Sequence, residues 1–123
     1  MQIEDKKSSL IVLRKTPYGS SLSRSALDVA LATAAFDQPV NVLFMGDGVL
    51  QLLPTQDSTP IEKKNVAKIL ASLPLYDIET LFADAGALAR YNINPAELTL
   101  PITTLDASGM RELLHNHDHV LGF

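Results

Sequence analysis

His115-Asn116-His117-Asp118-His119 places three imidazoles and a carboxylate within five residues, the densest set of possible metal ligands in the chain. Histidine is the commonest metal ligand, and imidazole with carboxylate suits zinc or nickel. The spacing speaks against a good site. The rings stand at i, i+2 and i+4 where a helix passes into a strand, so their directions diverge unless the loop folds back. His117 also lies at i+7 from Met110 and continues an apolar helical stripe. Histidine near a helix C-terminus is favourable by charge alone. We expect no physiological metal here.

Two further stretches sit where an α/β protein keeps its ligands. Gly46-Asp47-Gly48 interrupts the apolar run NVLFMGDGVLQLLP at 41–54. An acid at a strand end can hold Mg2+ or accept a phosphoryl group, but such sites draw more carboxylates from a neighbouring strand end. The first aliphatic run instead ends Leu13-Arg14-Lys15, the opposite sign. An aspartate between glycines more simply makes a turn whose side chain bonds its own backbone. The loop Tyr18–Arg24 offers Gly19, Ser20, Ser21 and Arg24 ahead of a helix, where backbone N–H groups and a guanidinium would hold a small anion or nucleotide, the alternative reading being a small flavodoxin-like binding module or enzyme. Its spacing matches neither a P-loop nor a dinucleotide fingerprint. The plainer reading is a serine N-cap, with Arg24 paired to a nearby carboxylate.

The chain contains no cysteine. That excludes disulfides, thiolate metal sites and any thiol or persulfide chemistry carried by this chain itself. Serines concentrate in the Tyr18–Arg24 loop, all histidines lie in the last ten residues, and no nucleophile-elbow pattern appears. We assign no catalytic residue, no metal and no cofactor.

The elements that must position these residues alternate between strand and helix. Ser9–Arg14 and Val40–Met45 are short aliphatic runs with the make-up of buried strands. Between them, SALDVALATAAF favours a helix apolar on nearly every side, a pattern usually covered on more than one face. Pro54–Pro60 reads as a loop. Glu62–Leu73 is a helix by period, with Val66, Ile69, Leu70 and Leu73 at i, i+3, i+4 and i+7, stopped by Pro74. Glu79–Ala83 reads as a third strand, and Asp84 would cap the short helix AGALARYN. A fourth strand lies within Leu98–Leu105, with Pro101 at an edge or a start. Met110, Leu113 and Leu114 line one face of a last helix, and HVLGF is a fifth strand. Aliphatic strands with helical crossovers imply a mainly parallel sheet covered on both faces.

Length and composition bound the rest. At 123 residues the chain is one domain, 1–123, that buries roughly two-thirds of its unfolded surface. It is 46% apolar and only 20% charged, greasy enough to suggest surface covered by partners. No apolar run approaches the ~20 residues of a membrane span, and MQIEDKKSSL lacks an apolar signal core. We expect no membrane association and a cytoplasmic location. The net charge is −4 with basic residues spread out, so no direct nucleic-acid binding is expected.

PYGSSLSRSALDVALAT, GDGVLQLLP, LYDIE at 75–79 and the terminal DHVLGF occur in an order and at a spacing that resemble the DsrE/DsrF/DsrH-like family, closest to its C-type (DsrF) subunit. The resemblance covers nearly the whole chain. It implies a three-layer α/β/α domain with a five-stranded, mainly parallel sheet. It also implies assembly with B-type and D-type subunits (TusB-like and TusD-like) as a dimer of heterotrimers. In that pattern a persulfide carrier protein delivers sulfur to a cysteine of the D-type subunit, and the sulfur moves on toward the thiolase acting on the wobble uridine of tRNA. The cysteine stands near the end of the third strand, where this sequence has Phe82-Ala83-Asp84-Ala85. The sulfur-carrying role therefore passes to no residue here. The histidine tail also departs from the family, which keeps an acid like Asp118 and the apolar end.

The expectation for the apolar run at 41–54 follows. Gly46-Asp47-Gly48 sets a turn, and Val49, Leu50, Leu52 and Leu53, together with Tyr76, form a subunit contact. Replacing Leu50 or Leu53 with Asp is expected to break assembly while leaving the isolated fold intact. An unchanged complex mass on a sizing column would contradict it.

Overall fold

Five parallel strands in the order β4-β3-β2-β1-β5 form the sheet of the computed structural model, which describes residues 8–14, 22–36, 38–53, 70–76, 78, 80–98 and 100–123. The strands are β1 (Ser9–Leu13), β2 (Val40–Phe44), β3 (Leu81–Asp84), β4 (Ile102–Leu105) and β5 (His119–Gly122). The described helices are α1 (Leu22–Ala35), α2 (Ala85–Arg90) and α3 (Ala107–His115). Residues 70–72 are helical and run into a 3-10 turn, Leu73–Tyr76. The expected loop Pro54–Pro60 and most of the helix expected over Glu62–Leu73 lie outside the described residues. Among the described residues no helix is long and apolar enough to cross a membrane.

Strand order explains which face each helix covers. From β1 to β4 the chain steps in one direction, and right-handed crossovers put every connection on the same face. Accordingly Ala26, Leu27 and Ala30 of α1, Leu70, Leu73, and Ala87 and Leu88 of α2 pack with Ile11, Leu13, Val42, Phe44, Leu81 and Ala83. The last crossover runs back from β4 to the opposite edge. The same handedness sends α3 to the other face, where Met110, Leu113 and Leu114 cover Leu10, Val12 and Leu43. Both faces of the central strands are covered, so β1 reads as an unbroken apolar run rather than an alternating one.

The expected strands are present within one or two residues, and Pro101 immediately precedes β4 as a strand start. Asp84 ends β3 and caps α2, accepting from the backbone N–H of Ala87. Among the α1 residues whose burial is described, Ala26, Leu27 and Ala30 are buried, Val29, Leu31 and Ala34 are half-buried against the core, and Asp28, Ala32 and Ala35 are exposed. The edge strand β5 is fastened by Ser8, whose N–H donates to Asp118 Oδ2 at 2.9 Å and whose carbonyl accepts from His119 N–H at 3.0 Å.

The stretch after β2 differs from a simple turn. Gly46–Leu52 is a 3-10 helix folded back against the sheet. Gly46 has φ +51, a left-handed conformation that favours glycine. Gly48 lies against the end of β1, and a Cβ there would fall 1.9 Å from the Leu13 carbonyl oxygen. The two glycines do different work. Gly48→Ala is expected to cost about 1–3 kcal/mol through overpacking against backbone, and Gly46→Ala about 1–2 kcal/mol through its φ. Urea midpoints at constant slope measure both; wild-type stability of Gly48→Ala would show that the approach relaxes freely.

Candidate functional site

The loops at the carboxyl ends of β2 and β3 meet through Asp84. Its Oδ2 accepts from Gly46 N–H at 3.1 Å and its Oδ1 from Ala87 N–H at 3.2 Å. One carboxylate thereby ties the left-handed glycine after β2 to the first turn of α2. Both oxygens are engaged by fixed backbone donors in a half-buried setting, which makes Asp84 a clamp rather than a free base or ligand.

Asp47, beside it in sequence to Gly46, is exposed and accepts the hydroxyl of Tyr91. Its side chain therefore reaches across to the end of α2 instead of bonding its own backbone. The Arg90 guanidinium lies 5.4 Å from the centre of the Tyr91 ring, within cation–π range. The hydrogen bond to Asp47 raises the Tyr91 pKa above 10.0, helped by partial desolvation and by the charge of the same carboxylate; Arg90 opposes the shift. At the end of β1, Arg14 N–H donates to the Phe123 carbonyl at 3.1 Å, and its guanidinium lies over Gly122.

The histidines do not converge. His115 and His119 are exposed, whereas His117 is half-buried. Its Nδ1 lies 2.7 Å from the Leu113 carbonyl, which can only accept, so Nδ1 carries the proton. Nε2 then presents a lone pair to the Asn41 amide nitrogen 2.8 Å away. The ring fastens the end of α3 to β2. Among the described residues no group of three or more His, Cys, Asp or Glu side chains could hold a metal ion.

The residues expected at a subunit contact divide. Val49 is 0% and Leu52 4% exposed, both within the core cluster, so neither offers surface to a partner. Leu50 and Leu53 are half-buried, and Tyr76 is 44% exposed beside Leu75 at 84%. The reason is helical period. With three residues per turn, positions 49 and 52 share the inner edge of the 3-10 helix, while 50 and 53 share another. Of the expected anion loop, Gly19, Ser20 and Ser21 lie outside the described residues, as does the side chain of Arg24.

Sequence reasoning passed over the segment after α2. Asn92 takes a positive φ of 56, and Asn94 caps a 3-10 turn at Pro95–Glu97 through Ala96 N–H. This segment and Leu53 enclose an open cleft of about 230 Å³, with Leu53, Ile93 and Leu98 half-buried along it and Tyr91 and Glu97 exposed at its mouth. Its signal in the sequence was the Asn-Ile-Asn-Pro run, a stretch that asks for turns.

An open parallel sheet with helices on both faces, and with its loops gathered at the carboxyl edge, defines an α/β protein of the doubly covered class. The chain belongs to the DsrE/DsrF-like family, whose model matches residues 7–123. It is 36% identical over 115 residues to a protein TusC homolog of Pseudomonas aeruginosa, covering 94% of this chain and 97% of that one. A protein TusC homolog of Vibrio parahaemolyticus is 34% identical over 112 residues (91% and 95%), and one of Haemophilus influenzae 32% over 114 residues (91% and 96%). The crystal structure of the ychN protein from E. coli superposes with a TM-score of 0.76 at 18% identity, covering 95% of this chain and 99% of that one. That likeness shows the fold.

The raised Tyr91 pKa has a defined sign. Folding favours the neutral phenol, so the stabilisation is present below the ordinary value of 10.0 and lost as pH rises through the raised one. Asp47→Asn is expected to bring Tyr91 ionisation back toward 10.0, followed by ultraviolet difference absorbance against Tyr91→Phe. An unmoved titration would show that the hydrogen bond does not set it.

Proposed function

We propose that this chain is a non-catalytic structural subunit of a heteromeric sulfur-relay complex that passes persulfide sulfur toward 2-thiolation of the tRNA wobble uridine. Its companions are TusB-like and TusD-like subunits in a dimer of heterotrimers, which receives sulfur from a persulfide carrier and hands it toward a tRNA thiolase. The setting is cytoplasmic.

The observation that carries the reading is the pairing of full-length similarity to TusC homologs with a sequence that has no cysteine. Passing sulfur from a persulfide breaks one S–S bond and forms another, and a thiolate must attack. No side chain here can do that. The end of β3, where the family resemblance puts the cysteine of a D-type subunit, holds Asp84 with both oxygens engaged by Gly46 and Ala87. The cysteine then belongs to a companion chain. Leu50, Leu53 and Tyr76 are the members of the expected contact that retain surface, and we assign the subunit interface to them.

Co-expression with the TusB-like and TusD-like proteins of the same organism, with the tag on the TusB-like chain, is expected to recover all three in equal amounts. Deleting the gene for this chain is expected to abolish wobble 2-thiouridine, measured by mass spectrometry of tRNA nucleosides. Failure to co-purify, or covalent uptake of radiolabelled sulfane sulfur by this chain alone, would overturn the reading.

A further inference from the structure

The cleft between Leu53 and the 91–98 segment shares one residue, Leu53, with the proposed subunit contact, and the rest of its lining has no role assigned so far. At about 230 Å³ it is smaller than the ~300–1,000 Å³ of ordinary small-molecule sites and suits a single long side chain. Its wall is apolar at Leu53, Ile93 and Leu98, all half-buried and, for the last two, packed on the core, so the wall is held in place from behind. Asn92 and Asn94, both exposed, also line it, and Glu97 is the one carboxylate among the lining residues. Glu97 is exposed, and among the described residues its carboxylate makes no hydrogen bond or ion pair. Tyr91 brings an aromatic ring with Asp47 bound to its hydroxyl. The neighbouring cation, Arg90, lies against the Tyr91 ring and is not part of the lining.

Aliphatic and amide lining beside an aromatic ring and a carboxylate with no ion pair among the described residues is complementary to a side chain with an apolar stem and a cationic tip. Arginine fits this best. Its methylenes cover aliphatic surface, and its fork pairs with a carboxylate. Arginine seated in a small pocket is also a common anchor of protein interfaces. We propose that this cleft receives one arginine side chain from a partner polypeptide. The charge of the whole chain, −4, favours the approach of such a partner. The argument stands on the cleft alone and does not require the partner to be a sulfur-relay subunit.

The test uses the isotope-labelled full chain and two blocked amino acids, Nα-acetyl-arginine methylamide and its neutral isostere Nα-acetyl-citrulline methylamide. Backbone amides of Asn92, Ile93, Asn94 and Leu98 are expected to shift saturably with the arginine probe and about fivefold more weakly with citrulline. Glu97→Gln is expected to remove that difference while the spectrum keeps its native dispersion. Equal binding of the two probes, or no shift at these amides, would overturn the proposal. It would also fall if sedimentation showed a dimer that Leu98→Asp converts to monomer, because a second copy would then fill the cleft.

Discussion

The approach of Gly48 to the Leu13 carbonyl is the contact on which the carboxyl end of this sheet depends. Any side chain at 48 would occupy the space of a backbone atom of β1. With none, the chain leaving β2 turns back over the sheet as a 3-10 helix. That path carries Val49 and Leu52 into the core and leaves Leu50 and Leu53 facing outward. Gly46, in its left-handed conformation, then aims its N–H at Asp84. One close backbone contact thus arranges the loop, part of the core and the clamp together.

Asp84 shows how one strand end can serve architecture. The carboxylate caps α2 and binds the turn after β2, so it supports two elements at once. A thiol would do neither as well, since sulfur is a weak acceptor. The chemistry of the position is therefore mechanical. It stiffens the loops at the carboxyl edge of the sheet.

Coverage of the sheet is uneven. Several elements pack on one face, but α3 is the described element on the other, and Met45 and Phe82 remain half-buried there. The strand order produces this, because only the final crossover reverses direction. Exposed Phe36 at the end of α1 and Leu75 after the helical residues 70–72 add apolar surface on the other side.

Read alone, the sequence determined the class of fold and most of the strand positions. Unbroken aliphatic runs of five or so residues, separated by helical stretches, have few other ways to bury both faces. It also determined the absence of thiol chemistry, a matter of composition alone. The divergence of the three histidines was legible from spacing, and the capping role of Asp84 from its place before an alanine-rich helix. What the tertiary structure decided were contacts between residues far apart in the chain. The apolar residues after Gly48 looked like surface because their burial depends on a 3-10 period and on a backbone contact with β1 that hydropathy does not encode. The partnership of Asp47 with Tyr91, the second hydrogen bond of Asp84, and the cleft behind Glu97 likewise arise only when separate crossovers bring their loops to one edge of the sheet.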